Sequence, residues 1–409
     1  MKLKRSLGLV TIYLILMILI VPVFCTDAPD FDLQKEGDLG WHQFHLDPQH
    51  TGASSSPAPK TNETAWVSEE IGAQAGSSVT VAEGKVFVNC MDTLVCLDQF
   101  SGETLWCAPF EKNCDVCCSW HTPVFHDSKV FFTGMETVCL DATDGQEIWR
   151  FAPPTNRGAV DGSPVVVGGK VIVGDWDGNH YYCLNESSGN EIWNFSVEGS
   201  AQSTPAVSDG KVVFGAWEWG LGGNIYCIDF NEGSKIWSLQ TENSPAGSAS
   251  IQDGTVYMST YNFNGNGDLL ALSLLDGSIL WRKEISPTNS VPTLAESKVY
   301  VCGGVEGFSH SKTYCFDAAS GDLIWETNEA DKIGDWRCSV AHADGIVFVG
   351  KPNFEDFGGT VALDADTGNV VWSYPEGGSS PAVAGGMIFA VGGGKVWAFG
   401  DSRPEEVVS

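Results

Sequence analysis

The sequence predicts an all-β fold, an eight-bladed β-propeller of four-stranded antiparallel blades, from three observations. One unit recurs along the chain: a short apolar strand, a turn closed by glycine, and a second strand that ends in tryptophan. Seven of these tryptophans, from Trp106 to Trp372, follow one another at intervals of 43, 44, 44, 44, 44 and 47 residues. The 47 glycines and 15 tryptophans suit many tight turns and large packing anchors. A period of this length indicates an array of similar structural units.

The recurring unit is clearest from Cys139 to Trp149, where Asp141 ends the first strand and Gly145 closes the turn. The same hairpin recurs at residues 96–106, 183–193, 227–237, 271–281, 315–325 and 362–372. Five hairpins begin with a cysteine at one equivalent position: Cys96, Cys139, Cys183, Cys227 and Cys315. Stacked sheets lie about 10 Å apart, whereas a disulfide needs Cα atoms within about 7 Å. We therefore expect these five cysteines to be buried free thiols.

Each repeat is predicted to hold four strands, as at residues 162–167, 170–174, 181–184 and 191–193. The starts of the second strands give eight blades: Lys85, Lys129, Lys170, Lys211, Thr255, Lys298, Ile346 and Met387. The end of the chain supplies only three strands for the last blade. Trp66 precedes Trp106 by 40 residues, so its strand is predicted to complete that blade and close the ring.

The N-terminus has the pattern of an export signal. Lys2, Lys4 and Arg5 precede an apolar run over residues 7–24, whose length suits either a signal peptide or an uncleaved membrane anchor. Cys25 offers a further alternative, a lipidated cysteine. The predicted divisions are 1–25 for this segment, 26–58 for a tether and plug, 59–400 for the propeller, and 401–409 for a tail. We expect a protein that is secreted or anchored at the cell surface.

Within the plug segment, Trp41 and Phe44 are predicted to fill apolar surface. His42, His45 and His50 with Asp47 suggest a metal site, but their spacing fits no standard zinc pattern. Packing or surface histidines are the favoured interpretation, and no metal is expected.

The charge balance excludes one class of partner. The chain carries 52 acidic and 22 basic residues, a formal net charge of −30. Such a surface repels nucleic acid and anionic lipid. We therefore expect no nucleic-acid partner and contact with membrane only through the N-terminal segment. The propeller is expected to be monomeric.

The residue pattern resembles the pyrroloquinoline-quinone-type repeat, and residues 41–400 look like an eight-bladed propeller of that class. Its opening, with Trp41, Phe44, Asp47 and Thr51, is similar to that of exported members. The resemblance covers two groups: quinoprotein alcohol dehydrogenases and non-enzymatic relatives such as the outer-membrane assembly lipoprotein of Gram-negative bacteria. It therefore predicts the fold more strongly than it predicts quinone binding.

A second group of cysteines crowds into one connection between blades. Cys107, Cys114, Cys117 and Cys118 are candidates for disulfides, because disulfides are the default in an exported protein. The resemblance adds an alternative, since quinoprotein alcohol dehydrogenases carry a disulfide between adjacent cysteines over the quinone. It implies pyrroloquinoline quinone with calcium as cofactors. Those enzymes are longer, however, and their calcium ligands and catalytic Asp have no counterpart here by motif, so a protein without cofactor is favoured.

The loops on one face of the predicted ring differ in length and sequence from blade to blade. Turns within the hairpins barely change in length, but the loops between second and third strands diverge and carry aromatic residues. The candidate binding residues on this face are Trp120, His121, Trp176, Trp217, Trp219, Tyr261, Phe263, Phe308, Trp336, Arg337 and Phe354. Such aromatic residues suit a glycan or an extended peptide. The alternative is that they pack on one another and plug the central funnel. The expected function is an exported scaffold that binds a protein or glycan, with a quinone-dependent dehydrogenase as the alternative.

Overall fold

The computed structural model describes residues 39–401, apart from 91, 111–120, 155–161, 219–221, 263–264, 306–308 and 353–356. Within these ranges the chain forms 33 strands and one short 3₁₀ helix, Glu329–Asp331. No helix in the described ranges is long and apolar enough to cross a membrane.

Strands β1 (Ala53–Ser54) and β2 (Thr64–Val67) precede the first complete blade. Blade 1 contains β3 (Thr80–Ala82), β4 (Lys85–Cys90), β5 (Thr93–Asp98) and β6 (Thr104–Pro109). Blade 2 contains β7 (Val124–His126), β8 (Lys129–Thr133), β9 (Thr137–Asp141) and β10 (Glu147–Phe151). Blade 3 contains β11 (Val165–Val167), β12 (Lys170–Asp175), β13 (His180–Asn185) and β14 (Glu191–Ser196). Blade 4 contains β15 (Ala206–Ser208), β16 (Lys211–Glu218), β17 (Gly222–Asp229) and β18 (Lys235–Thr241).

Blade 5 contains β19 (Ser250–Gln252), β20 (Thr255–Ser259), β21 (Gly267–Ser273) and β22 (Ile279–Ile285). Blade 6 contains β23 (Thr293–Ala295), β24 (Lys298–Gly303), β25 (Lys312–Asp317) and β26 (Leu323–Glu326). Blade 7 contains β27 (Ala341–Ala343), β28 (Ile346–Pro352), β29 (Phe357–Asp364) and β30 (Val370–Tyr374). Blade 8 contains β31 (Ala382–Ala384), β32 (Met387–Gly392) and β33 (Lys395–Gly400).

The ring closes as the sequence predicts. Strand β2 pairs antiparallel with β33, so the eighth sheet has the order β2-β33-β32-β31. The inner strand of blade 8, β31, contacts the inner strand of blade 1, β3. Closure leaves the sheets buried against their neighbours on both faces, which explains strands such as β12, with its run of buried apolar residues.

Each hairpin tryptophan fastens its blade to the next. The Trp149 indole Nε1 donates a hydrogen bond to the Glu186 carbonyl at 2.8 Å, and its ring packs on the turn at Gly189. A Cβ at Gly189 would lie 2.6 Å from Trp149 Cε3, and its φ of +69° also favours glycine. The same bond, at 2.8–3.2 Å, joins Trp66–Gln99, Trp106–Ala142, Trp193–Phe230, Trp237–Leu274, Trp281–Ala318, Trp325–Ala365 and Trp372–Pro59. We call these eight contacts the outer lock.

Residues 39–52 fasten the blades from the centre. Trp41 exchanges two 2.8 Å backbone hydrogen bonds with Val81 of β3, and the His42 carbonyl accepts from the Phe125 amide of β7 at 2.7 Å. The amides of the remaining blades donate to this segment as follows: Val166 to Gln43 Oε1, Val207 to Pro48, Ile251 to Gln49, Leu294 to Thr51, His342 to Gly52, and Gly385 to Leu39. These bonds satisfy inner strand edges that would otherwise lack partners. We call this segment the inner lock.

The histidines of the inner lock are packing residues. His50 Nδ1 lies 2.9 Å from the Ala249 carbonyl, and His45 Nε2 lies 3.1 Å from Thr293 Oγ1. Burial lowers the pKa of His45 to about 3 and that of His50 to about 4, so both are neutral near pH 7. Asp47 accepts hydrogen bonds from the Thr51 amide at 3.0 Å and from its hydroxyl. The expected burial of Trp41 is confirmed, since it is 1% exposed.

The five repeat cysteines lie in the core, as expected. Each is a free thiol with no exposed surface: Cys96, Cys139, Cys183, Cys227 and Cys315. Burial raises the pKa of each of these thiols to about 12, so they are protonated at neutral pH. They act as small apolar side chains between blades.

Candidate binding face

The two faces of the ring differ in their connections. The turn face carries the hairpin turns; the crossing face carries the loops between second and third strands and the crossings from blade to blade. At its centre a Ser or Thr precedes most inner strands: Ser78, Thr122, Ser163, Thr204, Ser248, Ser339 and Ser380, with Val291 in blade 6. Six of these hydroxyls accept from a backbone amide of the preceding blade, as when Ser163 Oγ accepts from Thr122 at 2.8 Å. They therefore hold blades together.

A small pocket lies in the middle of the crossing face. Phe44 of the inner lock lines it, together with Gln202, Asn289, Arg337 and Ser339. Its volume is about 60 Å³, far below the 300 to 1,000 Å³, roughly, of ligand pockets. None of the described lining residues is a carboxylate. This pocket therefore does not fit a quinone with a calcium ion.

Trp176 and Trp217 form the first aromatic group of the crossing face. Trp176 lies in the turn after β12, and Trp217 lies near the end of β16, so adjacent blades bring them together. Their ring centroids are 6.0 Å apart and the rings are tilted by 56°. Both side chains are half-buried. Trp217 is held in place because its backbone exchanges hydrogen bonds with Ser200 in the preceding crossing.

Tyr261, Trp336 and Arg337 form the second aromatic group. The rings of Tyr261 and Trp336 are 5.3 Å apart, and the Arg337 guanidinium lies 6.0 Å from the Trp336 ring. Arg337 Nε also donates to Asp335 Oδ1 at 2.9 Å, which pairs its charge. Tyr261 is buried, and burial raises the pKa of its hydroxyl. Trp336 and Arg337 stay half-buried, so they form the accessible part of this group.

His121 is the remaining described member of the predicted set, and it is 1% exposed. Its Nε2 lies 3.1 Å from Asn89 Nδ2, so it links blades 1 and 2 rather than facing solvent. Cys107 is an exposed free thiol in β6. The other predicted residues lie outside the described ranges: Trp120, Trp219, Phe263, Phe308, Phe354, Cys114, Cys117 and Cys118.

Sequence reasoning missed a charged group on the turn face. Glu186 is buried, and its Oε1 lies 3.1 Å from both His126 Nδ1 and Lys129 Nζ of blade 2. Hydrogen bonding to Glu186 raises the pKa of His126. Ligand atoms of His126, Asp127 and Glu186 lie within 4.8 Å of one another. The sequence does carry a signal for this group, because Glu186 departs from its repeat. The equivalent positions in other blades hold uncharged residues: Gln99, Ala142, Phe230, Leu274, Ala318 and Ala365. Lys129 already forms an ion pair with the Glu186 carboxylate. We therefore interpret the group as an ion-pair contact between blades and not as a metal site.

Comparison with known proteins places the chain in a family. A family model described as outer membrane protein assembly factor BamB matches residues 134–310 and 309–402. The outer membrane protein assembly factor BamB of Salmonella typhimurium is 32% identical over 122 residues, 28% of this chain and 31% of that protein. The quinohemoprotein alcohol dehydrogenase ADH IIB of Pseudomonas putida is 32% identical over 110 residues, 23% of this chain and 16% of that protein. Each relative is matched over less than a third of its own length.

The solved structure of quinohemoprotein alcohol dehydrogenase from Comamonas testosteroni shares the fold. It superposes with a TM-score of 0.71 at 14% identity, covering 90% of this chain and 82% of that chain. At this identity the likeness concerns the fold alone. The family model, by contrast, matches well over half of the chain. The chain therefore belongs to the pyrroloquinoline-quinone-type repeat family that the BamB model represents.

Proposed function

We propose that this protein is an exported, envelope-associated propeller scaffold that binds a protein or a glycan through its crossing face. The observation that carries the proposal is the pair of aromatic groups, Trp176 with Trp217 and Trp336 with Arg337, half-buried on one face. Most tryptophans of the outer lock, by contrast, are buried, and their indole N–H groups donate hydrogen bonds to the next blade. Trp176, Trp217 and Trp336 lie outside the repeated tryptophan position, in or beside the loops of the crossing face.

The chemistry of these groups suits the proposed ligands. Indole rings offer flat apolar surface to the hydrophobic face of a sugar or to an extended peptide. Arg337 is already paired with Asp335, so recognition rests on rings more than on net charge. The formal charge of −30 also disfavours acidic ligands such as nucleic acid.

The family adds support for the location and for the kind of partner. The matching family model and one relative are named for assembly of outer membrane proteins. A protein partner at the cell envelope is consistent with that relationship and with the N-terminal export pattern.

The binding proposal is tested by immobilising the full chain and probing it with an array of envelope glycans and with purified envelope proteins. We expect the double variant Trp176→Ala, Trp217→Ala to lose retention at least about tenfold, because two contact rings are removed. Phe100→Ala is the matched control, since Phe100 is 36% exposed and lies in a turn between β5 and β6 on the turn face. Equal retention by both variants, or no retention by the unaltered protein, contradicts the proposal.

A quinone-dependent dehydrogenase is the second candidate, favoured by the 110-residue match to a quinohemoprotein alcohol dehydrogenase. Against it, the central pocket is small and has no carboxylate among its described lining residues. The two candidates are separated by adding pyrroloquinoline quinone and calcium and measuring the absorbance of the protein after gel filtration. We expect no bound chromophore and no alcohol-dependent dye reduction. A stoichiometric chromophore establishes the enzyme instead.

A further inference from the structure

Cys302 and Cys338 face each other across the junction of blades 6 and 7. Cys302 lies in β24, and Cys338 lies in the crossing that leads to β27. Neither has exposed surface, and both are free thiols. The Cys302 thiol points at the backbone of its partner, 2.7 Å from the Cys338 carbonyl oxygen. Burial and a direct contact with the Cys302 thiol raise the pKa of Cys338.

The repeat shows that these two positions meet across junctions elsewhere in the ring. At the junction of blades 1 and 2 the equivalent residues are Asn89 and His121, whose side chains lie 3.1 Å apart. At the junction of blades 5 and 6 they are Ser259 and Ser290, where the Ser259 hydroxyl donates to the Ser290 carbonyl at 2.6 Å. This position therefore holds side chains that link neighbouring blades.

The repeat cysteines occupy a different environment. Cys183, for example, stands opposite Ile172 and Trp193 in its own sheet and packs in an apolar cluster. Cys183 therefore contacts apolar side chains, whereas Cys302 and Cys338 contact each other and polar backbone atoms. Cys338 Sγ also accepts a hydrogen bond from the Gly350 amide at 3.3 Å, which fixes its orientation.

We propose that Cys302 and Cys338 are a disulfide site that joins blades 6 and 7 in the oxidised protein. The two thiols lose two electrons and two protons as the S–S bond forms, and a disulfide-containing oxidant takes them up and is released as two thiols. In the cell this step rests on the proposed export, because exported proteins meet such oxidants. The site is chemical, however, and can be tested on the purified chain.

The disulfide has a consequence for the candidate binding face. Cys338 directly follows Trp336 and Arg337, so a covalent bond to β24 fixes the crossing that presents both residues. It closes a loop over the whole of β25 and β26. Such a loop restricts the unfolded chain and resists local opening of this junction.

To test the proposal, the full chain is refolded in a glutathione redox buffer, and the remaining thiols are blocked with N-ethylmaleimide under denaturing conditions. Its peptides are then mapped by mass spectrometry without reductant. We expect a peptide pair linked through Cys302 and Cys338. We also expect reduction to lower the melting temperature by on the order of 5 °C. Blocked thiols at both positions, or a link from either to another cysteine, overturns the proposal.

A matched pair of variants separates the disulfide from simple packing. Cys302→Ser, Cys338→Ser copies the pair found at Ser259 and Ser290, so it is expected to fold and to lose the part of the melting shift on reduction that this disulfide contributes. Cys183→Ala removes a lone buried thiol and is expected to keep that shift in full. A shift on reduction that is as large in the double serine variant as in the unaltered protein counts against the proposal. The disulfide test does not depend on glycan or protein binding, so it remains valid if the binding proposal fails.

Discussion

The outer and the inner lock both fasten all eight blades, but they are encoded in different ways. The outer lock uses one tryptophan per repeat, and each indole donates to a carbonyl of the next unit, as from Trp193 to Phe230 at 3.1 Å. The inner lock uses one segment, residues 39–52, whose backbone and Gln43 side chain meet the inner strands. The difference shows that a closed ring combines a repeated contact with a single, non-repeated one.

The two locks also stabilise the ring through different interactions. The outer lock buries large rings against the turn glycines of the next blade, so its energy comes mainly from packing. The inner lock pairs backbone groups that closure would leave unsatisfied and places neutral histidines among them. Its stability therefore depends on protonation, whereas that of the outer lock does not.

Breaking one contact of the outer lock is expected to have the largest effect. Trp193→Ala removes a nearly buried ring from Gly233 and a hydrogen-bond donor from the Phe230 carbonyl. We expect a loss of about 3 to 5 kcal/mol in the free energy of unfolding. Urea unfolding followed by tryptophan fluorescence and circular dichroism measures this loss.

The phenylalanine variant separates packing from hydrogen bonding at the same position. Trp193→Phe keeps most of the ring but leaves the Phe230 carbonyl without its donor, so we expect a loss of about 1 to 2 kcal/mol. If Trp193→Ala lowers the free energy of unfolding no more than Trp193→Phe does, packing on the neighbouring turn is not the main contribution of the ring. The proposal that the outer lock is stabilised mainly by packing would then be wrong.

The fold was largely predictable because its signal is repeated. The period of the hairpin tryptophans predicted the repeat, the starts of the second strands predicted eight blades, and Trp66 predicted the closing strand, which pairs with β33 as expected. The partner of each tryptophan was less accessible. A hairpin such as Cys139–Trp149 reads as a local unit, yet Trp149 packs on Gly189 of the next repeat. Contacts between units at a fixed offset are visible only once the ring is assembled.

The candidate site was predictable only in part, because it lies where the repeat breaks. Trp176, Trp217 and Trp336 were selected as loop aromatics, and they lie on the crossing face in groups. His121 could not be recognised as a buried link, since its partner Asn89 is 32 residues away. The facing thiols of Cys302 and Cys338 belong to different repeats, so sequence distance hides them too.

The effect expected from the inner lock depends on pH. The pKa of His50 is about 4 in the folded protein and about 6.5 when unfolded, because burial disfavours its charged form. Between these values the unfolded state binds a proton that the folded state does not, so the free energy of unfolding falls as the pH falls. The fall from His50 is on the order of 3 kcal/mol between about pH 7 and pH 4. His45 adds to it in the same direction, while the raised pKa of Asp47 opposes it.

The variant His50→Asn isolates this term, because asparagine tolerates the φ of +60° at this position and retains an amide donor for the Ala249 carbonyl. Chemical unfolding at several pH values should show a shallower loss of stability on acidification than in the unaltered protein. Phe100→Ala, which replaces an exposed side chain without a titratable group, should leave the slope unchanged. Equal slopes for His50→Asn and the unaltered protein would mean that His50 is not neutral in the folded ring. The inner lock would then owe its stability to backbone pairing alone, and the contrast with the outer lock would lose its dependence on pH.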